Sequence, residues 1–190
     1  MKKLVAIVIV FILIPTMSFA QVTWGTELGF NFANFNGANQ NMIGLRIGLS
    51  ADIKFSHIVD LHTGLFYSVK GAALQGGTMS ENSISINYLE IPFVTSFVVS
   101  ERFSLLGGTY MGVVLGSSII LNGEPIADYE TSDIVSGLDF GAHMGFSVAL
   151  SRLWSINAAY QIGFLNMDPY DYEEVYNSTI LTGFTYYLGG

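Results

Sequence analysis

The chain has 190 residues, 51% of them hydrophobic and only 12% charged, with no cysteine and a formal charge of −8. Without cysteine a disulfide framework, thiolate chemistry and a lipid anchor on an N-terminal cysteine are excluded, and the acidic balance excludes the basic footprint of a nucleic-acid binder. Soluble domains carry about 25% charged residues, so much of this exterior does not face water, yet beyond residue 20 no apolar run approaches the ~20 residues of a spanning helix.

In chain order the first element is a targeting segment. Lys2 and Lys3 are followed by the unbroken apolar run 4–14, a break at Pro15, Thr16 and Met17, and small residues Ser18 and Ala20 at the −3 and −1 positions. This is the pattern of a secretory signal peptide, cleaved before Gln21. The expected division is residues 1–20 as signal and 21–190 as one domain. Seven Lys and Arg less two leave five cations against fifteen acids in the mature chain, a charge of −10.

Eight segments then alternate with a period of two, the signature of strands with one apolar face. They are 24–34, 42–55, 60–70, 87–99, 103–118, 134–150, 154–164 and 178–188. In the second, Ile43, Leu45, Ile47, Leu49, Ala51, Ile53 and Phe55 oppose Gly44, Arg46, Gly48, Ser50, Asp52 and Lys54. In the sixth, Leu138, Phe140, Met144, Phe146 and Val148 oppose Asp139, Gly141, His143, Gly145 and Ser147. The fifth is the least regular, with Leu106, Tyr110 and Val114 opposite its main apolar face. Connections after the second, fourth and sixth segments are short; those after the first, third, fifth and seventh are long and polar or Gly-rich.

Long and short connections in strict alternation are the plan of an outer-membrane barrel, with short turns toward the periplasm and long loops outside. The chain reads as an all-β, eight-stranded, antiparallel up-and-down transmembrane β-barrel, the size of the small OmpA- and OmpX-type barrels. Backbone groups in hydrocarbon must all be bonded internally, so the sheet closes on itself. The Leu/Ile/Val/Phe face meets outer-membrane lipid and the Gly/Ser/charged face points into a lumen filled by side chains. Trp24, Phe55, Phe103 and Trp154 near the turns, and Phe32 and Phe164 near the loops, form interfacial belts. An even strand number puts both termini on the periplasmic side. A soluble lipocalin-like barrel is the competing fold, but its exterior is polar, and here the face opposite the apolar one is too rich in glycine for that. Proline cannot donate to a ladder, so Pro92 predicts a bulge or a missing ladder bond.

The inward parity collects Glu27, Arg46, Asp52, Lys54, His62, Lys70, Glu90, Asp139 and His143. Charges inside a narrow barrel must pair or meet water. Lys70 and Glu90 fall on neighbouring strands and form the expected pair. The long loops gather acids: Glu124, Asp128, Glu130 and Asp133 in the third, Asp168, Asp171, Glu173 and Glu174 in the fourth. These read as a solvated rim; the alternative is a surface for divalent cations or a partner, with Tyr129, Tyr170, Tyr172 and Tyr176 as contacts. No calcium-loop spacing is present. Metal-protease, phosphate-loop and nucleophile-elbow motifs are also absent, so no catalytic, cofactor or metal residue is assigned. Asp139 and His143 share a face but lie about 13 Å apart along a strand. Besides a structural or interaction barrel, the remaining readings are a narrow pore for water or small ions and a lipid-modifying enzyme using His143.

Two motifs stand out together: Tyr67-Ser68-Val69-Lys70-Gly71 at the end of the third segment and Tyr88-Leu89-Glu90-Ile91-Pro92 in the fourth. With Asn31-Phe32-Ala33-Asn34-Phe35 and the late Asp139-Phe140-Gly141, they give a chain that resembles the PorT-like outer-membrane β-barrel family of Bacteroidota over nearly its whole mature length. The resemblance implies an eight-stranded outer-membrane barrel. One branch of that family is linked to a dedicated protein-secretion system, which implies an envelope or secretion-complex partner; fold transfers more readily than function.

Overall fold

The computed structural model describes residues 21–35, 40–73, 83–121, 124–126, 136–168 and 174–188. Among these residues there is no helix. The strands are β1 (Gln21–Phe35), β2 (Gln40–Lys54), β3 (Val59–Ala73), β4 (Ser83–Val98), β5 (Phe103–Leu121), β6 (Glu124–Ile126), β7 (Leu138–Ala149), β8 (Trp154–Gly163) and β9 (Asn177–Tyr187). Consecutive strands pair antiparallel, β5 pairs β7, and β9 returns to β1, so eight strands close a barrel. β6 is a three-residue return on the end of β5, in register Ile119 with Ile126, inside what reads from sequence as a loop. The strands also run further toward the loop end than the apolar alternation: β1 extends to Phe35, β2 begins at Gln40, β3 extends to Ala73 and β4 begins at Ser83. The signal segment and most of the long loops lie outside the described residues.

The two faces separate as the alternation requires. Leu28, Phe30, Ile43, Leu45, Ile47 and Leu49 are each 42–56% exposed on the outside, whereas Glu27, Asn31, Arg46 and Ser50 on the opposite parity are 0–6% exposed. Trp24, Phe55 and Trp154 ring the turn end, with Trp154 against Tyr186 at 4.8 Å between centroids and Phe103 stacked on Phe146 at 5.9 Å. At the loop end Phe140 and Phe164 meet edge to face at 6.2 Å.

Glycine on the inward parity makes room for the few inward aromatics. A Cβ on Gly48 would stand 2.6 Å from the Phe66 ring, and one on Gly64 2.8 Å from it, so Phe66 fills the space the two glycines leave. Gly141 does the same for Tyr110, and Gly112 lies under Tyr88.

Two irregularities explain the weak spots of the sequence pattern. Between β4 and β5 the register shifts: Asn87 faces Gly116 but Tyr88 faces Val114, leaving Leu115 as the extra residue of a bulge. A bulge exchanges the faces of everything beyond it. Before the bulge Val114 shares the inward parity of Tyr110 and pairs with Tyr88, while beyond it Ser117, of the opposite parity, is the partner of the buried Ile86. Leu106, Tyr110 and Val114 all precede the bulge on the inward parity, so strand five has no single apolar parity because its lumen face is itself largely apolar. At Pro92 the β3–β4 offset is unchanged on either side, but Gly64, Leu65, Ile91 and Pro92 drop out of that ladder, while Pro92 still pairs Tyr110 on β5. The expected break is there, confined to one side.

The three short turns share one construction that the alternation does not reveal. Ser56, Ser100 and Ser151 each accept backbone N–H bonds from the residues two and three ahead, at 3.1–3.4 Å. In each turn the Ser amide donates to the carbonyl three residues on: Ser56 to Val59, Ser100 to Phe103 and Ser151 to Trp154, at 3.0–3.2 Å. Serine hydroxyls favour such turns because they mimic a backbone acceptor.

Candidate functional site

The inward side chains form layers along the lumen. Nearest the turns, His62 Nδ1 and Asp52 Oδ1 are 2.6 Å apart, and His62 Nε2 lies 3.9 Å from Glu27 Oε2. Next, Arg46 Nη1 donates to Glu27 Oε1 and its guanidinium stacks on Phe66, 3.7 Å from the ring centre. The other Glu27 oxygen accepts from Thr185 Oγ1 at 3.2 Å and Asn157 Nδ2 at 3.4 Å. Arg46 Nε also faces Glu90 Oε1 at 3.6 Å, which links this layer to the one above.

At mid-height sits the pair from the two sequence motifs. Lys70 Nζ is 2.8 Å from Glu90 Oε2 and donates to Gln161 Oε1 at 2.8 Å, and both ionic residues are fully buried. Gln161 Nε2 completes the ring by donating to Glu90 Oε1 at 2.9 Å, and lies 3.2 Å from His143 Nδ1. Lys70 reaches Asp139 at 3.8 Å and stands 4.4 Å from the centre of the Tyr110 ring. Asp139 accepts from Tyr110 and from Asn177 Nδ2, at 3.1 and 2.9 Å. Above this, Ala72, Ile86, Tyr88 and Met167 form a buried apolar cap, with Ile84, Val114 and Val175 around it. Counting Arg46 and Lys70 against Glu27, Glu90 and Asp139, this interior carries one excess negative charge, which neutral donors offset. Burial without such partners costs several kcal/mol per ion.

The lumen is filled in this half only. On the turn side β4, β5 and β7 present the small inward residues Ser96, Ser104, Ser147 and Ala149, and a cavity of 470 Å³ opens there. The expectation of a lumen filled along its length is corrected accordingly: the barrel is a cup, open at the turn end and stopped at mid-height.

Of the nine charged or histidine residues expected inside, Glu27, Arg46, Asp52, His62, Lys70, Glu90, Asp139 and His143 face the lumen and are linked as described. Lys54 differs: as the last residue of β2 it is exposed at the mouth of the cavity, outside the ion-paired chain. Asp60 beside it was not expected at all. Gln161, Asn177, Tyr110, Asn157 and Thr185 were also missed, although each lies on the inward parity of its strand. Of the loop acids, Glu124 is exposed and Asp168 and Glu174 are described, whereas Asp128, Glu130, Asp133, Asp171 and Glu173 lie outside the described residues. Among the described residues no group of three His, Asp or Glu is placed to hold a metal ion.

The sequence matches, over residues 19–168, the family described as outer membrane protein beta-barrel domain. The chain belongs to that family. Two solved outer-membrane barrels have the same fold. Neisserial surface protein A is 11% identical with a TM-score of 0.57, covering 88% of this chain and 97% of its own. Ail, the attachment invasion locus protein of Yersinia pestis, is 14% identical with a TM-score of 0.51, covering 89% of this chain and 99% of its own. No curated protein matches. In this outer-membrane barrel the exposed Leu, Ile, Val and Phe side chains are therefore the lipid face, and the charged layers are its interior.

Proposed function

We propose that this protein is a closed, non-conducting barrel of the outer membrane with a structural and interaction role. The observation that carries this reading is the stop at mid-lumen: the Lys70–Glu90–Gln161 ring and Asp139 with its donors, covered by the apolar cap of Ala72, Ile86, Tyr88 and Met167. Water meeting that cap would lose hydrogen bonds without replacement. Gln21 and Leu188, the first and last described residues, lie at the end with the three short turns, and we assign that end to the periplasm. The acidic loops then face outward, and the mature chain begins at Gln21 after removal of residues 1–20.

The motifs that resemble the PorT-like family meet in this stop, since Lys70 pairs with Glu90 and Tyr88 caps them. That convergence supports an accessory role in protein secretion, with a partner in the envelope. His143 is held by Gln161 inside the lumen, away from lipid, which favours a non-enzymatic role over lipid modification. Planar-bilayer recording tests the closed lumen: the expected trace has no steady conductance, and a sustained open channel would favour the narrow-pore reading instead. Crosslinking in native envelopes followed by pull-down tests the interaction role, which fails if the barrel is always recovered alone.

A further inference from the structure

The 470 Å³ cavity at the turn end is absorbed by neither the lipid face nor the closed half of the lumen. Pockets of about 300–1,000 Å³ are the usual size for small-molecule sites. Its distribution of charge is unusual for this chain. Beyond residue 20 there are only five Lys and Arg residues against fifteen acids. Four of the five, Arg46, Lys54, Arg102 and Arg152, line this cavity, with Glu27, Asp52, Asp60 and Glu101 as its acids.

Pairing removes most of these from contention. Arg46 is held by Glu27, Asp52 by His62, and Lys54 lies in the field of Asp60. Arg102 and Arg152, exposed on two of the short turns, have no side-chain ion pair among the described residues, and only Glu101 stands against them. Guanidinium groups prefer carboxylate and phosphate partners, which match their planar fork of donors. Below the mouth the wall of β4, β5 and β7 carries the small hydroxylated residues Ser96, Ser104 and Ser147, and Asn157 continues it on β8 beside Ser147. The floor is rigid, since Glu27, Arg46 and His143 are 4–6% exposed and fixed by the layers above.

We propose that this cup is a binding site for a hydroxylated organic anion, one carboxylate or phosphate group held by Arg102 and Arg152 at the mouth and a hydroxyl-bearing body against the serine wall. The site is independent of whether the barrel conducts or has a protein partner. Refolded full-length barrel in a sugar-free, non-ionic detergent is titrated calorimetrically with glucose 6-phosphate and with gluconate; glucose and inorganic phosphate are the controls. The expected result is saturable binding of both organic anions, about tenfold or more tighter than either control, because a hydrogen bond to a charged group contributes about 1.5–3 kcal/mol. Arg102→Ala with Arg152→Ala lowers affinity about tenfold or more while heat-modifiable gel migration stays unchanged, since both residues are on solvent-exposed turns. Equal binding of glucose, equal binding of inorganic phosphate, absence of saturation with both organic anions, or an unaffected double variant would each overturn the proposal.

Discussion

Replacing Lys70 by Met tests the energetics of the lumen at its most buried charge. Lys70 is fully buried and stands 2.8 Å from Glu90, 2.8 Å from Gln161 and 3.8 Å from Asp139. Methionine keeps the stem and removes the charge. Glu90 then retains only Arg46 at 3.6 Å and the Gln161 amide, and Asp139 retains only its neutral donors. Removing one partner of a buried ion pair costs about 3–5 kcal/mol. With a urea dependence of about 2 kcal/mol per molar, the unfolding midpoint falls by roughly 1.5–2.5 M. Unfolding of the refolded barrel in lipid vesicles, followed by tryptophan fluorescence and by heat-modifiable migration, reads this directly. Adding Glu90→Gln to Lys70→Met removes the stranded carboxylate, so the pair of changes costs less than the sum of the single ones by about 2 kcal/mol. A midpoint shift below about 0.5 M, or strict additivity in the double variant, would refute the claim that these charges are desolvated and coupled.

Three further outcomes follow from the packing. Gly48→Ala sets a methyl 2.6 Å from the Phe66 ring and 2.7 Å from its Cα, so it lowers stability by about 1–3 kcal/mol in the same urea transition. The Tyr88 hydroxyl is buried with no hydrogen-bond partner among the described residues, so Tyr88→Phe leaves stability unchanged or raises it by about 1 kcal/mol, and a comparable loss would reveal a hidden partner. Ser100→Ala removes one of the three turn serines but leaves the strand ladder intact, so the midpoint falls by only about 0.5–1 kcal/mol equivalent, with refolding yield as a second readout.

The barrel was legible because lipid on one side and a narrow lumen on the other impose a strict period of two. Ile43 to Phe55 and Leu138 to Val148 show it without interruption. Strand five was obscure because its lumen face carries Leu106, Tyr110 and Val114, so both of its parities are apolar and a polarity alternation does not separate them. The short β6 escaped because three residues carry no period. Inside the lumen, charge drew attention to Lys70 and Glu90, but the ring that completes them depends on Gln161, a neutral residue four strands from Lys70 and three from Glu90 around the sheet. Its inward parity was visible and its partners were not, since strand alternation gives a face and not a height. On β4, β5 and β7 the open cup was present in the sequence as a size gradient: Ser96, Ser104, Ser147 and Ala149 lie inward near the turns, and Tyr88 and Tyr110 lie farther in. Reading parity for volume as well as polarity would have found it.

Because the chain contains no cysteine, single introduced thiols report lumen access cleanly. Ser104 lines the turn-side cavity, whereas Ser68 is fully buried beyond Phe66 and accepts from Asn31 at 2.8 Å. In the folded barrel, Ser104→Cys is expected to react promptly with a small, charged, membrane-impermeant thiol reagent, and Ser68→Cys only after unfolding in urea. Equal labelling of the two in the folded state would contradict a lumen open at the turn end and stopped at mid-height.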